Sequence, residues 1–183
     1  MSSVVHYTHC DTPIGRLWIA STERGICRLN LPDERADLFF AWLNKAFPGA
    51  SYLESVETNE RAIAELRAYL AGQLRTFSVP LDVHGTEFQR AVWAAVARIP
   101  YGETRSYADV AKDVERANAY RAVGAANGAN PLPLFVPCHR VIGKDGSLTG
   151  YGGGLPLKAW LLNMEREHST KSSVSCSSRE TTH

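Results

Sequence analysis

The chain has 183 residues, 44% of them hydrophobic, which is enough for one domain or two small ones with an independent core. Twenty basic against nineteen acidic side chains leave a formal net charge of +1, which weighs against a strongly electrostatic nucleic-acid binder but leaves room for one that uses a small local patch. No apolar run approaches the roughly 20 residues needed to cross a bilayer, and the opening MSSVVHYTHCDTP lacks the basic and apolar regions of a secretory signal.

In chain order, Val4–Tyr7, Leu17–Ala20 and Gly25–Leu29 have strand composition, and Thr22–Gly25 reads as the hairpin turn between the last two. Leu38, Phe39, Trp42, Leu43 and Ala46 follow helical spacing and stop before Pro48-Gly49; Ile63, Leu66, Tyr69 and Leu70 do the same and stop at Gly72. Gln73–His84 reads as a strand or connector. Thr86 with Gln89 three residues later is a capping-box signature, opening a helix with Phe88, Val92, Val96 and Ile99 on one face and ending at Pro100. A short helix near Ser106 and a second over ANAYRAVGAANGANP, stopped by Gly128 and Pro131, suggest helix-turn-helix, a weak signal alone. PLFVPCHRVIG reads as a buried strand, GKDGSLTGYGGGLP as a glycine-dense loop, and Pro156 fits the first turn of a last helix carrying Leu157, Trp160, Leu161 and Met164. From Ser169 onward nine of fifteen residues are Ser or Thr, so 169–183 reads as a disordered tail. The resulting partition is an α+β N-terminal domain over 1–84, a mostly helical C-terminal domain over 85–168, and that tail.

The chemistry-bearing stretch is PCHR. Cys10, Cys27, Cys138 and Cys176 are scattered without a CxxC pair, which is neither a zinc framework nor a disulfide scaffold and fits a reducing cytosol. An ordinary buried strand holds no Cys-His-Arg run, and desolvating such groups costs several kcal/mol unless each is paired. A free thiol has a pKa near 8.5, so a nucleophilic Cys138 needs a base or a nearby positive charge. His139 is adjacent, but neighbours on an extended strand face opposite ways, so contact needs a twist or a bridging water. By triad logic a third group should orient the imidazole, and Glu165, on the inward side of the terminal helix, is the candidate. Each has a plainer reading: a satisfied core histidine beside an inert thiol, and a solvated helix acid. Gly150–Gly154 lacks the lysine of a phosphate loop; its glycines allow close backbone approach to a ligand, and Tyr151 among them can stack on a planar one.

These stretches together resemble a known family. NPLPLFVPCHRVIG, with RAVGAANGANP before it and GYGGGLPLKAWLLNME after it, closely resembles the O6-alkylguanine-DNA alkyltransferases, and the likeness runs without a gap from about Thr86 to Glu165, including IPYGETRSYADVA. DTPIGRLWIA resembles the family's N-terminal domain, and the short form is similar to the bacterial cytosolic type. The resemblance implies a ribonuclease-H-like α/β domain followed by a winged helix-turn-helix domain, and irreversible transfer of an alkyl group from O6-alkylguanine, with O4-alkylthymine as a further substrate, to Cys138 in one turnover. It implies that His139 activates the thiol through a bridging water and that Glu165 orients His139. Arg121 matches the family's arginine finger, which replaces a flipped nucleotide in the stack; flipping is needed because the target atom is inaccessible inside the duplex. Ala122, Gly124, Ala125 and Ala126 match small residues that let the recognition helix approach the minor groove, and Tyr107 matches the tyrosine near the 3′ phosphate. Asn130 matches the asparagine that links the helix-turn-helix to the site. The carbonyls of Cys138 and Val141 would accept from the guanine amine, Tyr151 and the Gly152 N–H would face the base and its oxygen, and Lys158 would support the pocket.

The implied partner is double-stranded DNA with alkylated bases, bound by a monomer in the cytoplasm with no membrane and no cofactor; cooperativity on DNA stays open. Some members carry a zinc site, but Ser3 and Thr22 stand at two of its positions, so no metal is expected. Tyr120 stands where the family usually has alanine, and Gly152 where some members have serine. The main alternative is an alkyltransferase-like lesion-binding protein, which lacks the acceptor cysteine that this chain has. A Cys–His hydrolase would need an oxyanion hole and turnover. A plain transcription factor would leave PCHRV and the glycine loop unexplained.

Overall fold

The computed structural model describes residues 3–32 and 34–174. β1 (Val4–Thr12), β2 (Gly15–Thr22) and β3 (Gly25–Asn30) form an antiparallel meander, and β4 (Ser51–Glu54) joins β1 in parallel, giving the order β3-β2-β1-β4. The period-2 alternation of the strands separates two faces. Val5 and Ala20 pack with Phe39 and Leu43 of α1 (Ala36–Ala46), whereas Cys10, Leu17 and Ile19 pack with Ile63, Leu66 and Tyr69 of α2 (Val56–Leu70). Ser55 caps α2 by accepting from the Thr58 N–H at 3.2 Å.

The second half holds α3 (Glu87–Ala97), opened by the Thr86–Gln89 capping box, α4 (Tyr107–Asp113), opened by a second box of Ser106 and Asp109, α5 (Tyr120–Gly128) and α6 (Gly154–Val174). Two short parallel strands, β5 (Arg105–Ser106) and β6 (Val141–Ile142), tie the start of α4 to the segment after Cys138. The larger apolar core runs across Gly85 without a break, from Leu17, Ile19 and Leu66 through Val92 and Val96 to Val123, Leu132 and Leu161. The Leu29 N–H donates to the Pro131 carbonyl at 2.9 Å, so the edge of the sheet is bonded to the chain that leads into the cysteine. Packing and this bond fix the second half against α2, which matters for the site. Among the described residues, no helix is long and apolar enough to cross a membrane.

The structure departs from the sequence expectation in several places. The PCHR stretch is not a strand. Pro137 supplies no N–H, the Arg140 N–H bonds the Pro137 carbonyl at 2.9 Å, and Cys138–Arg140 closes into a 3-10 turn; only Val141–Ile142 pair as a strand. Of the two readings of Gln73–His84 the connector holds: it touches the sheet through one bridge, Leu81 to Ile26, and Asp82 accepts from the Thr22 hydroxyl at 2.6 Å. β4 has no counterpart in the sequence reading. The terminal helix does not stop at Ser169 but runs to Val174. Ser and Thr can stay helical by bonding back to the preceding turn, and here the Ser169 hydroxyl donates to the Glu165 carbonyl at 2.8 Å. The remainder of the expected tail, 175–183, lies outside the described residues.

Candidate active site

Cys138, His139 and Arg140 are all buried, held by the 3-10 turn between the α5–β6 connection and the middle of α6. The connection leading to them is strained: Leu134 has φ 72°, a left-handed conformation that costs a bulky residue about 1–3 kcal/mol. Burial of Leu132, Leu134 and Phe135 in the core offsets that cost, and the fold-back is pinned by Asn130. Its amide nitrogen donates to the Val136 carbonyl at 2.9 Å and its oxygen accepts the Leu132 N–H at 3.0 Å. Asn130 also lies beside the Cys138 thiol and pulls its pKa down against burial.

Glu165, fully buried on α6, organises the turn. Its Oε1 accepts from His139 Nε2 at 2.9 Å, and Arg140 Nε and Nη2 reach the same carboxylate at 2.9 and 2.8 Å. Its Oε2 also accepts the Gly102 N–H at 3.0 Å. Gly102 has φ 79°, and a Cβ there would lie 2.2 Å from Ser169 Oγ, so the close approach of this amide needs glycine. The acid that partners Arg140, which the sequence left unidentified, is therefore Glu165. Tyr69 of α2 completes the set: its hydroxyl lies 2.5 Å from Glu165 Oε1 and 3.2 Å from His139 Nε2. Tyr69 and Asn127, whose amide donates to the Cys138 carbonyl at 3.2 Å, were not singled out from sequence. Tyr69 falls on an ordinary helix stripe, and nothing in its spacing marks it as more than core.

The electrostatics follow from burial and pairing. Burial alone would push Glu165 up, but the hydrogen bonds of His139 and Arg140 outweigh it and hold its pKa at about 2. Burial holds the His139 imidazole below 6.5 despite Glu165, so the ring is neutral near pH 7. Since both Glu165 Oε1 and the Tyr69 oxygen can accept, His139 carries its proton on Nε2. His139 Nδ1 is then a bare lone pair, and it is buried with no protein partner. Burial also raises the Cys138 thiol to about 11, against the pull of Asn130 and, through space, Lys158. The thiol is thus protonated at rest and needs a base.

The cavity at the thiol is about 20 Å³, lined by Cys138, Asn127, Asn130, Tyr151, Gly152 and Glu34. Glu34 is a further residue the sequence reading missed. It reaches in from the β3–α1 connection, paired with Arg28 at 3.2 Å, and a Cβ on Gly152 would stand 3.4 Å from its Oε1. Tyr151 lies edge-on to His139 with ring centroids 6.4 Å apart, and its buried hydroxyl has no protein partner. The fully buried Lys158 donates to the carbonyls of Val141 and Thr149 at 2.6 and 2.8 Å, tying the glycine-dense loop to β6. The Val141 carbonyl holds the Lys158 ammonium, and the Cys138 carbonyl already accepts both the Asn127 amide and the Val141 N–H, so the Cys138 oxygen is occupied at rest.

Next to this cavity, a shallow cleft of about 430 Å³ is lined by Tyr107, Tyr120, Gly124, Thr149 and Tyr151. Tyr107 packs under Gly124 and donates to the Thr149 carbonyl at 3.2 Å. On α5, Arg121, Ala122 and Ala125 are exposed, and the Arg121 guanidinium folds back over the Tyr120 ring, 5.9 Å from its centroid. Arg121, Ala122, Gly124, Ala125 and Tyr107 therefore lie on one side of the molecule, apart from the buried Cys138–His139–Glu165 set, with Tyr151 and Gly152 between.

Two family models match the chain: the ribonuclease-like domain of 6-O-methylguanine DNA methyltransferase over residues 5–83, and its DNA-binding domain over 87–167. The inducible methylated-DNA–protein-cysteine methyltransferase of Bacillus subtilis (strain 168) is 46% identical over 157 residues, covering 86% of this chain and 88% of the relative. The methylated-DNA–protein-cysteine methyltransferase of Mycolicibacterium paratuberculosis is 44% identical over 170 residues, covering 92% of this chain and 97% of the relative. Among solved structures, Mycobacterium tuberculosis OGT in complex with DNA superposes with a TM-score of 0.78 at 41% identity, covering 89% of this chain and 94% of that one.

The charges at Glu165 set an acid limit on stability. His139 has its pKa lowered from 6.5, and Glu165 has its pKa lowered from 4.5 to about 2, so in both cases the unfolded chain binds more protons and stability falls on acidification. Denaturant titrations should show stability declining below about pH 6.5 and again between 4.5 and about 2. Glu165→Gln should lose the lower window and cost ~3–5 kcal/mol at neutral pH, because Arg140 is left buried without its counter-charge. A flat wild-type profile from pH 5 to pH 2.5 would contradict the assignment.

Proposed function

This chain belongs to the 6-O-methylguanine DNA methyltransferase family, and we propose that Cys138 is its alkyl acceptor, with His139 the base that activates it. The protein is a direct-reversal alkyltransferase: it binds double-stranded DNA, moves an alkyl group from an alkylated base to a cysteine of its own, and acts once per molecule. The observation that carries the residue assignment is the bare, buried Nδ1 of His139 one residue from a protonated thiol, with Nε2–H committed to two acceptors. The ring has no other place to accept a proton.

The reaction then runs as a displacement at carbon. The Cys138 proton passes to His139 Nδ1, and Glu165 stabilises the imidazolium that forms. In a 3-10 turn, successive side chains are about 120° apart, so a water rather than direct contact carries the proton. The thiolate attacks the alkyl carbon of O6-alkylguanine, the S–C bond forms, and the C–O6 bond breaks with its electron pair going to the guanine. The unpartnered Tyr151 hydroxyl and the Gly152 N–H are the donors for the base and its departing oxygen, and the proton that His139 took from the thiol ends on the guanine ring, which returns the imidazole to its neutral form. An O4-alkylthymine presents the same alkyl–oxygen bond and is the second substrate we infer. The product is a thioether, which no group in the site can hydrolyse. The lesion-binding alternative is disfavoured because Cys138 is present and lines the cavity.

Docking is assigned to α5 through the minor groove. Ala122, Gly124 and Ala125 keep that face thin, Tyr107 lies beside it, and Arg121 enters the stack behind the extruded base. Tyr120 then has a use. Its ring holds Arg121 folded back at rest and can settle on sugar and phosphate when the arginine leaves.

Intact-mass spectrometry with excess O6-methylguanine duplex should add one methyl per chain, mapped to Cys138, and Cys138→Ser should lose transfer while keeping lesion binding. Multiple turnovers, or labelling of Cys10 or Cys27 instead, would overturn the assignment. Arg121→Ala should slow repair of duplex by at least about 10-fold more than reaction with free O6-benzylguanine, since a lost stacking contact is worth ~1–3 kcal/mol. Equal losses on both substrates would remove the finger role. Tyr120→Ala should weaken duplex binding modestly without changing transfer to free base, and tighter binding would show instead that the ring obstructs the groove.

A further inference from the structure

We propose that Tyr69, on α2 in the N-terminal half, is a positioning residue for the His139 base, so that the half of the chain remote from the recognition helix takes part in the chemistry. The proposal rests on the reading of His139 as the base. Its geometric ground is that one phenol oxygen stands between the carboxylate and the imidazole, 2.5 Å from Glu165 Oε1 and 3.2 Å from His139 Nε2.

The direction of each bond follows from the partners. Glu165 is ionised and can only accept, so the Tyr69 proton points at Oε1. That proton stays in place, because burial and Glu165 together hold the phenol well above its ordinary range. The phenol's lone pairs are then left to face His139 Nε2–H. The imidazole proton is gripped by two acceptors, Glu165 on α6 and Tyr69 on α2, and a ring flip would break both contacts. Tyr69 itself has no freedom to turn: it is fully buried, with Phe77 at 5.1 Å and Tyr101 at 6.0 Å between ring centroids.

The second effect is on charge. A donor on Glu165 Oε1 disperses the carboxylate's charge, so the field at the imidazolium is weaker than an undisturbed carboxylate would give. The other groups that face His139 are Glu165 and Lys158 on α6, Arg140 on its own turn and Tyr151 on the glycine-dense loop. Among these contacts only Tyr69 comes from the first half of the chain. Removing its hydroxyl should therefore loosen the ring and, because the 2.5 Å bond to Glu165 is much shorter than the 3.2 Å contact with His139, make it more basic. A tyrosine that served only to hold the two halves together would affect stability and leave the titration of the base alone.

The test uses the full chain and follows single-turnover alkylation of Cys138 by mass spectrometry, with O6-methylguanine duplex and with free O6-benzylguanine, from pH 5 to 9. For Tyr69→Phe we expect unchanged duplex affinity, a rate about 10-fold lower on both substrates, as a fraction of what acid–base assistance supplies, and an acid limb moved to higher pH by about half a unit. Replacing Tyr69 with 3-fluorotyrosine makes the phenol a stronger donor and should move the acid limb the other way, so the proposal stays testable if the phenylalanine variant folds poorly. Profiles that superimpose on wild type in both variants would leave Tyr69 a structural residue only. Absence of Cys138 labelling in the wild type would instead overturn the acceptor assignment itself, which separates the two failures.

Discussion

The site depends on one buried carboxylate. Taking Glu165 out of water costs several kcal/mol, and such a charge persists only when its lone pairs are filled. Here they are filled by four residues from three parts of the chain: His139 and Arg140 on the 3-10 turn, the Gly102 amide between α3 and β5, and Tyr69 on α2. Arg140 is anchored in turn by donation to the Ile99 carbonyl at 2.6 Å. The three side-chain partners, Tyr69, His139 and Arg140, are buried with it. The turn, the loop before β5 and the middle of α6 are therefore fixed relative to one another by charge as well as by packing, and the thiol next to them inherits that rigidity.

The same low-dielectric surroundings explain how Cys138, as the proposed acceptor, can wait. The thiolate is the nucleophilic form, and burial raises the Cys138 thiol to about 11. It is therefore inert toward oxidants and stray electrophiles until a base takes its proton. Cys27 shows what distinguishes it. That thiol is also buried and pushed up to about 12, but it donates to the Ala20 carbonyl inside the sheet and lines neither of the cavities described above. Burial makes both thiols quiet; only Cys138 also has a cavity and a base with a free lone pair.

Sequence periodicity located α1, α2, α3 and α6 because each buries an apolar stripe, and the capping box at Thr86 marked its helix start to the residue. It failed where the deciding interaction is not periodic. PLFVPCHRV has strand composition, yet a turn forms because Pro137 removes a donor and Glu165 draws both His139 and Arg140 to one side. β4 is four residues long with mostly exposed side chains, too short and too polar to stand out. In the site, Cys138, His139 and Glu165 were legible because a Cys-His pair inside an apolar run has no cheap structural explanation. Tyr69, Asn127 and Glu34 were not. Tyr69 is a stripe residue until the fold brings it to position 165, and Asn127 sits among small helix residues that already had a role. Glu34 lies in a connection that carries no motif.

The geometry also separates what is rigid from what must yield. A cavity of about 20 Å³ has room for about one water molecule and none for a purine. The reacting groups cannot be what moves, since displacing His139 or Glu165 would strand a buried charge. The walls that can give way are those held by weaker ties. Glu34 is joined to Arg28 by a single partly exposed pair, and Tyr151 and Gly152 belong to a loop whose nearest anchors are the two Lys158 bonds. Arg28 and Glu34 are 12% and 26% exposed, so solvent screens their pair in part, whereas breaking the fully buried Glu165 cluster costs ~3–5 kcal/mol. Anything larger than a water can therefore enter only by deforming the mouth, while the buried Cys138–His139–Glu165 set stays in place.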